Sequence, residues 1–414
     1  MNFKFVHAAD LHLDSPLRVR AAGPLQRIFE DATFAALRRI VDLCLSERAE
    51  FLLLAGDLFE YRDRSVRARL ELRRQLGRLD AAGIRTFIVH GNHDPLSCAP
   101  GTLRLFDSVK VFSASWEEVE LHREGHLLCR IQGVSYPQER VAEDLTPLFR
   151  RQGPEFTIGL LHANVGGSSA HPNYAPCSLA DLDARCLDYW ALGHVHTRAE
   201  HRLPNGGVAV YPGNPQGRHI AETGERGCVL VDVKDGRASP RFWPLESVRW
   251  SRLDVDIAAL PTIDSLADAV CQKIAEAASA GPDAHAVEVR LIGAGPLHPE
   301  LVRVGAISEL LEHLSPLALQ RCPPVLFDSI EDSTRPELDL RAATAPGTFG
   351  EAISSVGRSA ASNAAALNQL CADEGLVKLH SALRRAGVEA PPAGQLVERA
   401  MLRALELLQS EVGP

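Results

Sequence analysis

Nine polar side chains stand at the ends of five short apolar runs: Asp10 and His12 in ADLH, Asp57 in GDLFE, Asn92, His93 and Asp94 in GNHDP, His162 in LLHAN, and His194 and His196 in GHVH. Carboxylate, amide and imidazole donors without a thiolate suit Mn²⁺, Fe or Zn²⁺ rather than a soft-metal site. Seven of these side chains could bind metal, too many for one ion and about right for two that share a bridging carboxylate. Each piece has a plainer explanation when taken singly: Gly-Asn is a common turn pair, Asp-Pro often opens a loop, and a lone histidine is more often packed or solvated than a ligand. Five separate runs that end in the same chemistry are what argues for convergence on one site.

Those runs carry β-branched and aromatic residues and are separated by helical stretches near 31–49 and 65–82, the pattern of buried strands in an α/β layered fold. Functional loops in such folds sit at strand ends, so the polar clusters are expected to meet. In Asp10-x-His12 and His194-x-His196, residues two apart in an extended chain project to the same side, and each pair can close on one site. Gly56, Gly91 and Gly193 are expected to let the backbone approach the ions closely.

The 414 residues, 45% of them hydrophobic, are enough for two or three domains of a soluble globular protein. The opening MNFKFVHAADLHLD reaches charge too early for a secretory leader, and no apolar run approaches the roughly 18 residues of a membrane span, so a cytoplasmic location is expected. Nine cysteines, none in Cys-x-x-Cys spacing, read as reduced thiols. A net charge of −9 excludes a generally basic surface and leaves room for a local one. The candidate is YRDRSVRARLELRRQLGR, with Arg62, Arg64, Arg67, Arg69, Arg73, Arg74 and Arg78, which is either a solvated helix face or a track for a phosphate backbone.

Residues 1–250 form the first expected domain. The alternations RLDVDIAAL (252–260) and HAVEVRLIGA (285–294), flanking a helix near 264–280, mark a small α+β domain over 251–335. A linker and a helical segment fill 336–414, where Leu396, Val397, Ala400, Met401, Ala404, Leu405 and Leu408 make an apolar stripe.

The ordered set DLH, GD, GNHD, a lone His and GHVH resembles the calcineurin-like metallophosphoesterases over roughly residues 1–250. ADLHLDSP and GDLF are closer to the SbcD-type DNA nuclease subunits than to protein phosphatases, and YPGNPQGRHIAETGERGCVLVDV (211–233) resembles the bacterial YhaO branch of DNA repair exonucleases. The resemblance implies a four-layer α/β/β/α sandwich with a small α+β capping domain and a helical C-terminal segment. It implies that Asp10, His12, Asp57 and His196 hold one ion and Asp57, Asn92, His162 and His194 the other, with Asp57 as the bridge. His93 would be the general acid and Asp94 the group that orients its ring.

The implied reaction is two-metal hydrolysis of DNA phosphodiesters, with Mn the expected metal and Fe, Zn or Mg as alternatives. The expected partners are DNA, contacted by Arg62, Arg64, Arg67, Arg69 and Arg74, an SMC-like ATPase of the SbcC/YhaN type gripped by the C-terminal helices, and a second copy of the chain; a membrane is not expected. A phosphoesterase for small nucleotides and a non-catalytic scaffold are the competing readings. Several nuclease relatives carry a histidine three residues after the bridging aspartate, where this chain has Glu60.

Overall fold

A computed structural model describes residues 2–18, 24–60, 65–98, 105–167, 174–278, 281–321, 324–336, 343–373, 375–378, 381 and 391–411. Arg62 and Arg64 lie outside the described residues. The strands are β1 (Phe3–Ala8), β2 (Phe51–Ala55), β3 (Arg85–Val89), β4 (Val109–Val111), β5 (Glu117–Arg123), β6 (His126–Gly133), β7 (Phe156–His162), β8 (Tyr189–Gly193), β9 (Ala199–Arg202), β10 (Val208–Tyr211), β11 (Gly227–Lys234) and β12 (Arg237–Pro244). Helices α1 (Pro24–Ser46), α2 (Val66–Ala81) and the short α3 (Leu179–Asp183) join them.

Two six-stranded sheets result, one ordered β12-β11-β1-β2-β3-β4 and the other β5-β6-β7-β8-β10-β9. In the first, β1, β2 and β3 are parallel; in the second, β6, β7 and β8 are. All five residues of β2 and of β8 are buried, as expected of parallel strands covered on both faces.

Alternation along each strand divides the core into layers. Val6, Leu52, Leu54 and Ile88 face α1 and α2, meeting Leu37, Val41, Leu72 and Leu76. Phe5, Phe51, Leu53 and Phe87 face the second sheet and pack with Ile158, Leu160 and Tyr189; the Phe5 and Phe51 rings stack at 4.9 Å. On the far face of the second sheet, Trp190, Leu161, Leu192 and Tyr211 are covered by Tyr136, Phe149 and Leu182. The fourth layer is thin, because its described helix is the five-residue α3 and much of its cover comes from loops.

Strands β13 (Val248–Asp256), β14 (Ala284–Ile292) and β15 (Val325–Asp332) make a three-stranded sheet, with helices α4 (Ile263–Ala277), α5 (His298–Leu301) and α6 (Ala306–Arg321) between them. The alternating stretches and the helix near 264–280 correspond to β13, β14 and α4, while α6 and β15 are additions. Chain contacts divide the molecule into a unit of residues 1–252, 275–288 and 318–328 and a unit of 253–274, 289–317 and 329–414.

In the second unit the helices Phe349–Ser362 and Ala393–Glu411 pack on each other. Leu405 is buried, and Gly357 lies so close to Met401 that a Cβ there would meet its sulfur at 2.7 Å. The stripe is therefore used within the chain in part. Among the described residues eight cysteines are free, and no helix is long and apolar enough to cross a membrane.

Candidate metal centre

The C-terminal ends of parallel strands from both sheets bring the polar clusters together. The first sheet supplies Asp10 and His12 after β1, Asp57 after β2 and Asn92 after β3; the second supplies His162 at the end of β7 and His194 and His196 after β8. Asp10, His12, Asp57, Asn92, His162 and His194 are buried and His196 is half-buried.

Strand alternation is not what aims the paired residues. Asp10, His12, Asp57 and His194 have positive φ (54°, 41°, 51° and 99°), so the chain turns sharply just past each strand and presents its side chains inward. Non-glycine residues in this region are uncommon, and several together at one site are typical of functional loops. Backbone bonds fix the turns: the N–H groups of Asp10 and His12 donate to the carbonyls of Gly56 and Asp57 at 3.0 Å, and that of Leu13 to Leu58 at 2.9 Å.

The glycines also act differently from expectation. A Cβ on Gly91 would lie 2.3 Å from Asp57 Oδ1 and 2.7 Å from His162 Nε2, and one on Gly56, at φ 90°, would lie 2.3 Å from His162 Nδ1. These glycines make room for the donor side chains themselves.

The donors fall into overlapping sets. Asp10, His12 and His196 offer one ligand atom each within 4.8 Å of one another, and so do Asp10, Asp57 and His162. His12 Nε2 faces His196 Nε2 at 3.2 Å. Asp10 belongs to both sets, and Asp57 Oδ2, in the second, stands 3.4 Å from His162 Nε2 and reaches within 3.9 Å of His12 Nε2 in the first. Asn92 Oδ1 is 3.0 Å from His162 Nε2 and 3.1 Å from His194 Nδ1. The Nδ1–H of His162 can donate to the Ala55 carbonyl at 2.9 Å, a bond that leaves Nε2 with its lone pair.

Burial raises the Asp10 carboxyl to about 6. For His162 burial pulls the other way, but the facing Asp57 and Asp10 carboxylates outweigh it and raise the imidazole to about 9. Burial likewise disfavours the Asp57 charge, and His162 nevertheless holds that carboxyl well below its usual range. His12 is lowered to about 3 by burial and by Arg218. Carboxylate, amide and imidazole donors thus converge at close range, with Asp57 Oδ2 on His162 Nε2 and His12 Nε2 on His196 Nε2. Oxygen and imidazole donors so placed fit divalent cations.

His93 is in neither of these two sets but makes a third with His12 and Glu60, and its side chain is 38% exposed. Its Nδ1 lies 2.6 Å from Glu60 Oε1, and its backbone N–H donates to Asp57 Oδ1 at 2.9 Å. Burial would lower this imidazole, yet Glu60 and Asp57 raise it.

Asp94 does not hold the His93 ring. Its Oδ1 accepts from the Gly91 N–H and its Oδ2 from the Leu58 N–H, both at 2.9 Å, with His90 Nδ1 3.2 Å away. It is fully buried and ties the GNHD turn to the GDLF turn, so adjacency in sequence misled about its partner.

Two carboxylates went unassigned by the sequence reading: Glu60, and Glu222, whose Oε1 lies 2.6 Å from His196 Nδ1. Glu222 also accepts from Asn214 Nδ2 at 3.0 Å and the Arg218 N–H at 2.6 Å. The sequence reading marked Glu60 only as a departure three residues after Asp57, without a role, and only the resemblance of 211–233 drew attention to the neighbourhood of Glu222.

In the arginine-rich helix, Arg67 pairs with Asp31 at 2.6 Å and lies over the Phe34 ring, and Arg74 pairs with Glu71 at 2.8 Å. Arg69 is half-buried.

Sheet order and donor geometry define a metal-dependent phosphoesterase, and residues 3–198 match the calcineurin-like phosphoesterase family, to which the chain belongs. Residues 250–335 match the middle domain of metallophosphoesterase YhaO. The chain is 35% identical over 346 residues to the uncharacterized metallophosphoesterase YhaO of Bacillus subtilis, covering 81% of this chain and 83% of that one. It is 28% identical over 193 residues to the DNA double-strand break repair protein Mre11 of Sulfurisphaera tokodaii, covering 45% of this chain and 48% of that protein. A dimetal phosphatase of Danio rerio aligns with a TM-score of 0.36 at 13% identity, over 56% of this chain and 93% of the other.

Proposed function

We propose that this chain is a two-metal DNA nuclease. The observation that carries the reaction type is the pair of donor sets that share Asp10, one with His12 and His196 and one with Asp57 and His162, beside which His93 groups with Glu60 and His12. The likeness to proteins named for DNA double-strand break repair supports DNA as the substrate. Asp10, His12, Asp57 and His196 would hold one ion and Asp57, Asn92, His162 and His194 the other, with manganese as the proposed metal.

Ions held by these residues would supply Lewis-acid polarisation of a phosphodiester and lower the pKa of a bound water. The chain supplies the rest. As the water oxygen bonds to phosphorus, the bond to the leaving oxygen breaks, and that oxygen takes its proton from His93. The His93 Nδ1 is already engaged by Glu60, which leaves Nε2 as the ring atom that gives the proton.

The test is hydrolysis of duplex DNA, single-stranded DNA and a nitrophenyl phosphodiester by the purified chain with Mn²⁺ at two salt concentrations. Cleavage of DNA that needs metal and is lost in Asp57→Ala is expected. Turnover of the small diester with none of either DNA would make this a small-molecule phosphodiesterase instead.

A further inference from the structure

Glu60 lies against two of the site's histidines, and its surroundings show what a carboxylate with two oxygens does there. It closes the GDLFE turn, whose backbone is pinned to the ADLH turn through Leu13 and His12, so its position relative to His12 is set by the fold. Oε1 is 2.6 Å from His93 Nδ1, and Oε2 is 3.4 Å from His12 Nδ1. The two rings meet edge to face with centroids 5.0 Å apart. Arg218 Nη1 lies 3.5 Å from Oε2, the oxygen that faces His12, and 3.3 Å from Ser15 Oγ.

We propose that Glu60 is a positioning residue for two rings at once, one oxygen holding the proton donor His93 and the other holding His12, whose opposite nitrogen faces the metal-binding set. A hydrogen on His93 Nδ1 satisfies Oε1, and one on His12 Nδ1, a buried atom with no closer acceptor, faces Oε2 across the longer 3.4 Å ion-pair contact; both Nε2 atoms are then left for chemistry, proton delivery from His93 and a lone pair from His12 toward His196. A carboxylate has an acceptor for each ring. An amide has one acceptor and turns an N–H toward the other ring, and an alanine holds neither.

This inference rests on the two-metal reading of the site, and its test separates the two. The variants are Glu60→Gln, Glu60→Ala, His93→Leu and the double variant Glu60→Gln/His93→Leu. They are measured first by equilibrium dialysis with Mn²⁺ alone, then by turnover of a nitrophenyl and a phenyl phosphodiester, whose leaving groups differ in their need for a proton.

Glu60→Gln and Glu60→Ala are expected to weaken Mn²⁺ binding at one of two sites by about 10- to 100-fold, the usual cost of losing an outer partner of a metal-bound histidine. His93→Leu is expected to leave Mn²⁺ binding unchanged. Glu60→Gln should slow the phenyl diester more than the nitrophenyl diester. On the His93→Leu background it should add no further discrimination between them while still weakening Mn²⁺.

Wild-type Mn²⁺ affinity in both Glu60 variants would overturn the link to His12. A discrimination in the double variant equal to the product of the two single effects would overturn the link to His93. Failure of the wild type to cleave DNA while it cleaves the diesters refutes the nuclease reading and leaves this one decided by the same data. Failure to cleave any diester would overturn the link to His93 as proton donor and leave the dialysis to decide the link to His12.

Discussion

Adding one methyl group to Gly91 tests the site by sterics alone. Its backbone lies outside the left-handed region, so alanine imposes no conformational strain there. The added Cβ would meet Asp57 Oδ1 at 2.3 Å and His162 Nε2 and Cε1 at 2.7 Å, distances that real Cβ contacts, at 3.0 Å or more, do not show. The Gly91 N–H is held by Asp94 Oδ1 at 2.9 Å, which resists a retreat of the backbone, so the donors must yield. Reaching 3.0 Å requires Asp57 to move by about 0.7 Å, from 3.0 minus 2.3. A displacement near 1 Å at a reacting centre costs about 10²-fold, equivalent to about 2.7 kcal/mol of transition-state stabilisation.

Gly91→Ala is therefore expected to lose about 10²-fold in kcat/KM on a nitrophenyl phosphodiester and to bind Mn²⁺ more weakly, while its far-UV circular dichroism stays that of the wild type. A variant with two tightly held ions and a rate within threefold of wild type would mean that Asp57 and His162 are not the gathered donors.

Neutralising Arg67, Arg69 and Arg74 together is expected to flatten the salt dependence of DNA binding by less than one unit, because Arg67 and Arg74 already face Asp31 and Glu71; a flattening of two units or more would make the helix a backbone track. His7 is buried against Tyr189, and burial lowers its imidazole to about 3. The unfolded chain protonates this group first, so its effect is absent above about pH 6.5 and grows as the pH falls from there toward 3. At pH 5.5 it costs about 1.4 kcal/mol, and His7→Gln should reduce the stability difference between pH 7.5 and 5.5 by that amount in denaturant titrations; an unchanged difference refutes this. Truncation at residue 336 removes the helices Phe349–Ser362 and Ala393–Glu411 together, and the shortened chain is expected to elute as one species with full metal content; aggregation would place these helices in the core.

That these donors would meet was legible because each follows an apolar run of the kind that forms a buried strand, and parallel strands end on one side. The geometry of presentation was not. Positive φ at His12 or Asp57 leaves no mark in composition, and the extended spacing rule gave a plausible but different reason for the pairing. The partners of histidines were also out of reach: Asp94 is next to His93 in the chain and serves other groups, while Glu60 reaches His93 across 33 positions and Glu222 reaches His196 across 26. In the small domain β13 and β14 announced themselves by alternation, whereas β15 carries VLFDSIED, whose paired Asp328 and Ser329 interrupt the period.

The donors are drawn from both halves of a sandwich, with Asp10, His12, Asp57 and Asn92 from one sheet and His162, His194 and His196 from the other. Between the sheets lies a layer of aromatic and aliphatic packing that has no direction and tolerates small slips. A cation held from both sides is different, since it is a cross-brace that fixes the register of one sheet against the other at a single point. Because the gathered donors exist only in the folded chain, occupancy and folding are one equilibrium, and ions at a thousand times their dissociation constant add about 4 kcal/mol per site. Chelation should therefore soften the whole sandwich, and the supply of metal in its surroundings would set how long this protein lasts as well as how fast it works.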